Sequence, residues 1–468
     1  MKKNNQLTKN LLICGENLKA LDDLRKKGIK VDLIYLDPPF FSHKHYEVVW
    51  GDEAEVRSFK DRWSGGINVY IEWMRERVVK MYDVLKDTGS FYLHCDWHAS
   101  HYLKLMLDKV FGYHNFRNEI IWKRSQTRSS ISKIFRRAHD VLLFYTKGND
   151  YIYNIQYREL SEASKKLYSK KDEQGYYQSV PILVSGRRKG ETGKSWRGID
   201  PNTRGKEGMH WVTMPDKLEK YDKEGLIVWP SKEGGTPRLK YYLKDTKGVP
   251  CNDLWDDIPL ISSSSAESMG FPTQKPEALL ERITMTSSNK NDLMLDPFCG
   301  CGTAMAVAQR LGRKWIGMDI SPTAISLIEK RLAKLGAVKG KDFDTIGMPT
   351  TISELRSLEP REFQNWAINE MKAKHSKKFI SDMGIDGYYD KTIFTDPAGI
   401  QVKQSEKIGR NVVDNFETAL RRAEYEKGFI IAFSFTKGAS EEAARVKGKG
   451  LDIQLIKVED LLLGKVKI

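Results

Sequence analysis

Two stretches of the sequence place a carboxylate, turn-forming residues and an aromatic side chain directly after a largely apolar run. The first is Asp37-Pro38-Pro39-Phe40, which follows residues 31–36. The second follows Leu295 and consists of Asp296, Pro297, Phe298, Cys299, Gly300, Cys301, Gly302 and Thr303. Open α/β folds bind their ligands outside the carboxyl ends of strands, so each stretch is a candidate binding site.

The glycine turn has the spacing of a nucleotide-type site. Gly300 and Gly302 let the backbone approach a ligand closely. A second apolar run ends at Asp319, about 20 residues after the turn, where a carboxylate can accept hydrogen bonds from both hydroxyls of a ribose. The third glycine of a dinucleotide site is missing, which favours S-adenosylmethionine (AdoMet) as the ligand. The alternative is a tight strand-to-helix turn that binds nothing.

The two prolines of the first stretch fix φ and remove two amide donors, so the local carbonyl oxygens are left facing a ligand. Asp37, these rigid carbonyls and the ring of Phe40 would then lie together at one edge of a sheet. The alternative is a rigid exit turn in which the aspartate caps a helix.

These motifs resemble those of the DNA amino-methyltransferases, which modify the exocyclic amine of adenine or cytosine. Asp37-Pro38-Pro39-Phe40 resembles their catalytic tetrapeptide, and residues 296–303 resemble their AdoMet motif. Pro272-Thr273-Gln274-Lys275-Pro276 resembles the flank before that motif, which makes Thr273 and Lys275 expected cofactor contacts. The catalytic motif precedes the cofactor motif, as in the β group of these enzymes. The resemblance extends from about residue 8 to about residue 335.

The chemistry of methyl transfer explains the residue types. An exocyclic amine is a poor nucleophile because its lone pair is delocalised into the ring. Hydrogen bonds from its N–H groups to Asp37 and to the Pro38 carbonyl would favour pyramidalisation and attack on the sulfonium methyl. Phe40 would stack on a base flipped out of the duplex, a contact worth about 1–3 kcal/mol. No Pro-Cys pair is present, which disfavours methylation of cytosine carbon.

Composition points to a polyanionic partner. The chain has 468 residues, a formal net charge of +15 and a pI near 9.3, which favours double-stranded DNA over a solvated basic surface. Its five cysteines are scattered and odd in number, as in a reduced cytoplasmic protein. No apolar run approaches the ~18 residues of a membrane span. A homodimer is possible.

Basic and aromatic residues interleave in the middle of the chain, which predicts a target-recognition region inserted at residues 150–269. The alternative is a solvated basic loop domain. The expected DNA contacts in and just before this region are arginine and lysine residues: Arg124, Arg128, Arg187, Arg188, Lys189, Arg197 and Arg238.

The C-terminal part contains a second candidate site. Gln401 and Lys403 fall on one face of a predicted strand, with Asp386 at an upstream turn. This pattern resembles the core of Mrr-type restriction-endonuclease-like domains, in which Asp386 would bind Mg²⁺ and Lys403 would steady the attacking hydroxide. Gln401, a weaker ligand, replaces the usual second acid, and a helical acid such as Glu370 could complete the site. The alternative is a nuclease fold kept only for DNA binding.

The sequence therefore predicts an α/β protein of two domains. Residues 1–345 should form a Rossmann-like AdoMet-dependent methyltransferase sheet that carries the inserted region, and residues 350–468 a restriction-endonuclease-like α/β domain. The expected activity is site-specific methylation of the exocyclic amine of a flipped base within a restriction-modification system. Asp37 favours adenine N6. The alternatives are cytosine N4 methylation, and a DNA-binding restriction module with an inactive first domain.

Overall fold

The computed structural model describes residues 7–41, 66–124, 133, 135, 137–232, 235–262, 265, 267–269, 274–376, 384–390 and 397–466. The chain divides into two compact units, one formed by Ile155–Asn252 and the other by the sequence on both sides of it. The smaller unit lies within the predicted insert. The predicted limits of the domains themselves stay predictions.

The part of the chain before the smaller unit alternates strands and helices. Its described elements are β1 (Asn10–Cys14), α1 (Asn17–Lys26), β2 (Val31–Leu36), α2 (Ile67–Val84), β3 (Leu85–Cys95), α3 (Ser100–Phe111), β4 (Phe116–Lys123) and β5 (His139–Thr146). All six residues of β2 are buried. That burial is typical of a central strand with helices on both faces of its sheet, and it explains why the run is almost continuously apolar.

The smaller unit is built from short antiparallel strands. Its strands and helices are β6 (Tyr157–Arg158), α4 (Glu162–Lys165), β7 (Lys170–Asp172), β8 (Gly175–Pro181), β9 (Leu183–Ser185), β10 (Met209–Trp211), α5 (Pro215–Lys223), β11 (Ile227–Val228), β12 (Arg238–Tyr242) and β13 (Val249–Pro250). Four of the strands form a sheet in the order β11-β12-β8-β7. Trp196 and Trp211 pack edge to face at 5.6 Å in the small core of this unit.

The chain then returns to the large sheet with β14 (Leu254–Trp255), α6 (Glu277–Ser287), β15 (Leu293–Asp296), α7 (Thr303–Arg310), β16 (Lys314–Asp319), α8 (Pro322–Lys334) and β17 (Phe343–Ile346). The described strands form one nine-stranded sheet in the order β14-β4-β5-β3-β2-β15-β16-β1-β17, in which β5 alone runs against the others. Helices α1 to α3 cover one face of this sheet and α6 to α8 cover the other. The predicted Rossmann-like sheet is confirmed.

A second, separate sheet follows. Its elements are α9 (Ile352–Ser357), α10 (Pro360–Glu370), β18 (Lys374–His375), β19 (Gly387–Tyr389), β20 (Ala398–Lys403), α11 (Arg410–Arg422), β21 (Lys427–Ala432), α12 (Lys437–Lys447), β22 (Asp452–Lys457) and α13 (Val458–Leu462). The five strands lie in chain order, with α9, α10 and α13 on one face and α11 and α12 on the other. The predicted C-terminal α/β domain is therefore confirmed.

Among the helices that the structure describes, none combines the length and the apolar composition needed to span a membrane.

Candidate active site and a second candidate site

The sheet register brings the two anchor stretches of the sequence together. Strand β2 pairs with β15 (Ile34 opposite Leu295), and β15 pairs with β16 (Asp296 opposite Gly317). All three strands are parallel, so their carboxyl ends lie at the same edge of the sheet. The Asp37 stretch, the glycine turn and Asp319 therefore emerge side by side, although they are distant in sequence.

The glycine turn adopts a conformation that other residues avoid. Gly300 and Gly302 have φ values of +49° and +76°, in the left-handed region that costs a side chain about 1–2 kcal/mol. A Cβ on Gly302 would also lie 2.7 Å from Cγ1 of Ile328. Helix α7 begins at Thr303, directly after the turn, so the backbone amides of its first turn face this edge of the sheet.

A buried arginine, Arg331, holds the glycine turn in place through hydrogen bonds. The guanidinium of Arg331 donates hydrogen bonds to the Cys301 carbonyl and to Oγ1 of Thr303, both at 3.2 Å. It also forms an ion pair with Glu277 at 2.7 Å. Only 5% of Arg331 is exposed, so its charge is available to neighbours rather than to solvent. The sequence analysis missed this residue, because nothing local marks one arginine of a basic helix as buried.

The two cysteines of the turn belong to its scaffold. Cys299 and Cys301 are both buried, and burial raises the pKa of each thiol above its ordinary value. The Cys301 thiol is 3.7 Å from Oγ1 of Thr303, and a Cβ on Gly317 would lie 3.3 Å from the Cys299 sulfur. A thiol held protonated is a poor nucleophile. Both cysteines therefore shape the turn.

Asp319 has both carboxylate oxygens in hydrogen bonds from the backbone. Oδ2 accepts from the Gly300 amide at 2.8 Å and Oδ1 accepts from the Ser321 amide at 2.9 Å. The carboxylate thus links the end of β16 to the glycine turn. A carboxylate oxygen can accept more than one hydrogen bond, which is what a ribose diol requires.

Asp296 is a deeply buried acid at this edge of the sheet. It is 3% exposed, and its Oδ1 accepts a hydrogen bond from the Phe298 amide at 3.0 Å. Burial raises the pKa of Asp296, and the negative charges of Asp37 and Asp319 raise it further. The three acidic side chains therefore lie close enough to influence one another's charge.

The neighbours of Asp296 hold the strand end in place. The Pro297 carbonyl accepts a hydrogen bond from Nδ2 of Asn17 at 3.1 Å. The ring of Phe298 lies 5.8 Å from the ring of Trp73 in α2. Helices α1 and α2 therefore set the position of this turn through side chains that the sequence motif does not include.

Lys275 lies at the predicted catalytic aspartate. Its ammonium forms an ion pair with Oδ2 of Asp37 and lies 5.2 Å from the centre of the Phe40 ring. The sequence analysis expected Lys275 to contact the cofactor. In the structure, Lys275 links the flank of the glycine motif, to which it belongs, to the Asp37 stretch. Thr273, the other expected contact of that flank, lies outside the described residues.

A connected series of buried polar side chains packs against the ring of Phe40. The Phe40 ring is 5.8 Å from the ring of His94, and Nδ1 of His94 is hydrogen-bonded to the Tyr35 hydroxyl at 3.1 Å. Nε2 of His94 lies 3.5 Å from Asp140, whose other oxygen lies 3.3 Å from Nε of Arg124. Burial would raise the pKa of Asp140, but His94 and the charge of Arg124 outweigh it and lower that pKa.

The structure also separates two histidines whose spacing is that of a metal pair. His94 and His98 have the i, i+4 spacing of a metal pair. His98, however, is hydrogen-bonded to Asp96 at 2.7 Å, whereas His94 is fully buried between Tyr35 and Asp140. The two histidines therefore have separate partners and are not arranged as a metal pair.

The second candidate site lies in the C-terminal sheet. Oδ2 of Asp386 accepts a hydrogen bond from the Val402 amide at 2.7 Å, which places Asp386 beside Gln401 and Lys403 on β20. Gln401 is 4% exposed, and its Oε1 has no hydrogen-bond partner in the part of the chain that the structure describes. A buried acceptor oxygen next to a carboxylate is a suitable start for a Mg²⁺ site.

The prediction that Glu370 could complete this site is wrong. Gln401 and Lys403 alternate along β20 with Ile400 and Val402, which pack in the core beneath α10. Glu370 ends α10 and is therefore on the opposite face of the sheet from Gln401. Burial raises the pKa of Glu370 and the charge of Glu329 adds to this, whereas Lys339 opposes it.

Acidic side chains on the Gln401 face of the sheet are used in ion pairs. Asp414, Glu417 and Glu442 lie within 4.8 Å of one another. Arg445 pairs with Glu417 at 2.8 Å, and Arg410 pairs with Glu442 at 2.9 Å. The cluster therefore joins α11 to α12 and is balanced by arginines.

Comparisons with known proteins agree with this geometry. The sequence profile described as "DNA methylase" matches residues 31–330, and the profile described as "Restriction endonuclease" matches residues 355–463. The chain belongs to the N6/N4 DNA methylase family. It is therefore a DNA amino-methyltransferase of the restriction-modification type, with an Mrr-type domain appended.

The chain is also similar to individual proteins. The type II methyltransferase M.EcaI of Enterobacter cloacae is 33% identical over 395 residues, which cover 82% of this chain and 83% of that protein. The DNA adenine methyltransferase YhdJ of Escherichia coli is 25% identical over 315 residues, covering 67% and 80% of the two chains. The crystal structure of M1.HpyAVI with SAM covers 69% of this chain and 98% of its own at 17% identity and a TM-score of 0.36.

The predicted DNA contacts of the methyltransferase differ in how available they are. Arg187, Arg188 and Lys189 are exposed. Arg197 is also exposed, but its guanidinium pairs with Glu219 and with Asp222, both at 2.7 Å.

Of the remaining predicted DNA contacts, two already bind other groups of the protein. Arg238 donates a hydrogen bond to Oγ of Ser179 at 3.0 Å, and Arg124 pairs with Asp140. Arg128 lies outside the described residues. The tripeptide 187–189 therefore offers the most accessible charge of the predicted set.

Proposed function

We propose that this methyltransferase moves the methyl group of AdoMet to N6 of an adenine flipped out of double-stranded DNA, at a specific site of a restriction-modification system. The observation that carries the cofactor assignment is the position of Asp319, whose carboxylate lies at the end of β16 and accepts a hydrogen bond from the glycine turn. A carboxylate at this point can accept hydrogen bonds from both hydroxyls of a ribose. The missing third glycine favours AdoMet over a dinucleotide.

The glycine turn and Asp319 would hold the nucleoside part of AdoMet. The ribose hydroxyls would donate to Asp319, and the methionine part would lie along residues 296–303, which include Pro297, Phe298, Cys299 and Thr303. Ile320, directly after Asp319, is 62% exposed. Its apolar side chain is well placed to cover the adenine ring of the cofactor. Sequence reasoning gave no signal for Ile320 other than its position.

Asp37 and Pro38 would activate the target amine. Lys275 binds one oxygen of Asp37, and in the proposed complex Oδ1 and the Pro38 carbonyl accept hydrogen bonds from the two N–H groups. The amine nitrogen would form the new C–N bond as the S–CH₃ bond breaks, and the electron pair of that bond would stay on sulfur in the S-adenosylhomocysteine product. The surplus amine proton leaves to Asp37 or to water. Pro39 keeps the turn rigid, and Phe40 stacks on the flipped base.

The choice of adenine over cytosine depends on Asp37, and cytosine N4 is the alternative. The test is methyl incorporation from labelled AdoMet into double-stranded DNA, followed by digestion and mass analysis of the nucleosides. We expect N6-methyladenine. Recovery of N4-methylcytosine would replace the base assignment, and the lack of any incorporation alongside AdoMet binding would favour a DNA-binding restriction module.

We also propose that the C-terminal domain cleaves DNA with Mg²⁺. Asp386 and Oε1 of Gln401 supply oxygen donors, the ligand type that Mg²⁺ prefers, and the buried Oε1 has no other described partner. The bound ion would supply charge that stabilises the phosphoryl transition state. Lys403 is half-buried on the same face as Gln401, where its ammonium can hold an attacking hydroxide close to the phosphate.

The cleavage proposal is tested with supercoiled plasmid in methylated and unmethylated forms. One carboxylate and one amide make a weak metal site, so we expect slow Mg²⁺-dependent nicking that depends on the methylation state. Lys403→Ala should abolish it. Lys427→Ala is the matched control, because Lys427 begins the neighbouring strand β21 at the opposite end of the sheet. Equal nicking by wild type and Lys403→Ala would remove Lys403 from the mechanism.

The proposed activity places the protein with the host DNA in the cytoplasm. The predicted homodimer is tested by sedimentation of the full chain with and without DNA.

A further inference from the structure

The C-terminal domain contacts the methyltransferase domain at the helix that follows the predicted ribose-binding residue, Asp319. Helix α10 belongs to the Mrr-type segment, and it packs against α8. Helix α8 is the helix that follows Asp319 and the exposed Ile320. The appended domain therefore reaches the strand end at which the ribose of AdoMet is expected.

This contact includes a hydrogen-bonded carboxylate. Oε2 of Glu362, in the first turn of α10, accepts hydrogen bonds from Oγ of Ser321 at 2.9 Å and from Oγ1 of Thr323 at 3.3 Å. Both hydroxyls belong to the N-terminus of α8. The positive ends of two helices thus meet at Glu362 and offset part of the cost of burying its carboxyl group, although burial still raises its pKa.

Ser321 continues the connection to the cofactor site. Its hydroxyl caps α8 by accepting from the Ala324 amide at 3.1 Å, and its own amide donates to Oδ1 of Asp319 at 2.9 Å. Asp319 in turn accepts from the Gly300 amide at 2.8 Å. An unbroken series of hydrogen bonds therefore runs from the C-terminal domain to the glycine turn.

We propose that Glu362 is a positioning residue for AdoMet binding, supplied to the methyltransferase by its appended endonuclease-like domain. It holds Ser321, and through Ser321 it sets the orientation of the Asp319 carboxylate toward the ribose. The inference rests on the proposed AdoMet site. Its consequence is that cofactor affinity depends on a domain outside the methylase motifs.

The test compares two substitutions of similar volume in the full chain. Glu362→Leu removes the acceptor oxygen, whereas Glu362→Gln keeps one. The amide of Glu362→Gln has nearly the same shape as the carboxyl group and can still accept from the Ser321 hydroxyl. We expect Glu362→Leu to weaken AdoMet binding about tenfold and to raise KM for AdoMet with kcat retained. Glu362→Gln should stay close to wild type in both quantities.

Two controls separate positioning from simple docking of the domains. Glu370→Gln changes an acid at the other end of α10 and should leave AdoMet affinity unchanged. In the Ser321→Ala background, Glu362→Leu should have no further effect on affinity, because the connection is already cut. A merely structural role would lower thermal stability in Glu362→Leu without changing the dissociation constant of AdoMet.

The outcomes are distinguishable. Wild-type AdoMet affinity in Glu362→Leu, or additive effects in the Ser321→Ala background, would overturn the inference. If Glu362→Leu does not fold, wild-type affinity in Ser321→Ala alone would overturn it. Lack of AdoMet binding by the wild-type protein would instead refute the proposed cofactor site.

Discussion

The substitution Asp319→Asn removes one charge and almost no volume at the predicted ribose site. The two carboxylate oxygens accept from the Gly300 and Ser321 amides at 2.8 and 2.9 Å. An asparagine has one acceptor oxygen and one NH₂ group, so it can satisfy only one of these two amides. The other amide would face a donor.

The expected loss of affinity follows from the hydrogen bonds involved. A hydrogen bond to a charged group contributes about 1.5–3 kcal/mol, and each 1.4 kcal/mol is about tenfold in affinity. Losing the charge that the ribose hydroxyls use should therefore weaken AdoMet by about 10- to 150-fold. The unsatisfied amide should also loosen the glycine turn, which places the expected value in the upper part of that range.

The assay is calorimetric titration of the full chain with AdoMet and with S-adenosylhomocysteine. Asp292→Asn is the matched control, because Asp292 accepts a backbone hydrogen bond from Asn289 at 2.7 Å at the opposite end of β15. It should lose stability without losing cofactor affinity. Unchanged AdoMet affinity in a folded Asp319→Asn protein would refute the assignment of Asp319 to the ribose. Equal losses in both variants would show that the effect is one of general stability.

Three further predictions concern the rest of the site. Asp37→Asn should lower kcat by about 10²–10³ while AdoMet affinity stays within error, because the hydrogen bond of Asp37 matters most in the transition state. Single-turnover methylation measures this rate. A wild-type rate would remove Asp37 from catalysis. Replacing Arg187, Arg188 and Lys189 together by glutamine should reduce the dependence of DNA affinity on salt, with a log–log slope smaller by about 0.9 for each lost phosphate contact; an unchanged slope in fluorescence anisotropy would place the contacts elsewhere. Gly302→Ala should cost about 2–4 kcal/mol of stability, because of its positive φ and the contact of the added Cβ with Ile328. Gly336→Ala, with a similar φ and open space around the added Cβ, should lose only the part that comes from φ. Equal shifts in urea midpoint would show that the contact with Ile328 is relieved by repacking.

The positions of the main motifs could be predicted from the sequence because the chemistry is local to each. A carboxylate after an apolar run predicts a strand end, and parallel strand ends share one edge of a sheet. For that reason the Asp37 stretch, the glycine turn and Asp319 could be placed together without a structure. The same reasoning placed Gln401 and Lys403 on one face of β20.

The supporting residues could not be predicted, because their roles come from long-range packing. Arg331 is one of many basic residues in the sequence, and only the fold buries it behind the Cys301 carbonyl. Tyr35 and Asp140 meet His94 because β2, β3 and β5 are neighbours in the sheet. Glu370 was misplaced for the same reason, since periodicity alone does not decide on which face of a sheet a helix packs.

The cofactor turn is thus held by side chains from several distant segments, of which the motif itself supplies few. A glycine turn on its own would lose much conformational freedom when it binds a ligand, and that loss would reduce affinity. Asn17 on the Pro297 carbonyl, Arg331 on the Cys301 carbonyl and Glu362 on Ser321 each fix one part of the turn before AdoMet arrives. Linkage then requires the reverse effect: if Glu362 favours AdoMet binding, AdoMet binding must favour the docked position of α10 to the same extent. The docking of the fused endonuclease-like domain through this contact would consequently depend on whether AdoMet is bound to the methyltransferase.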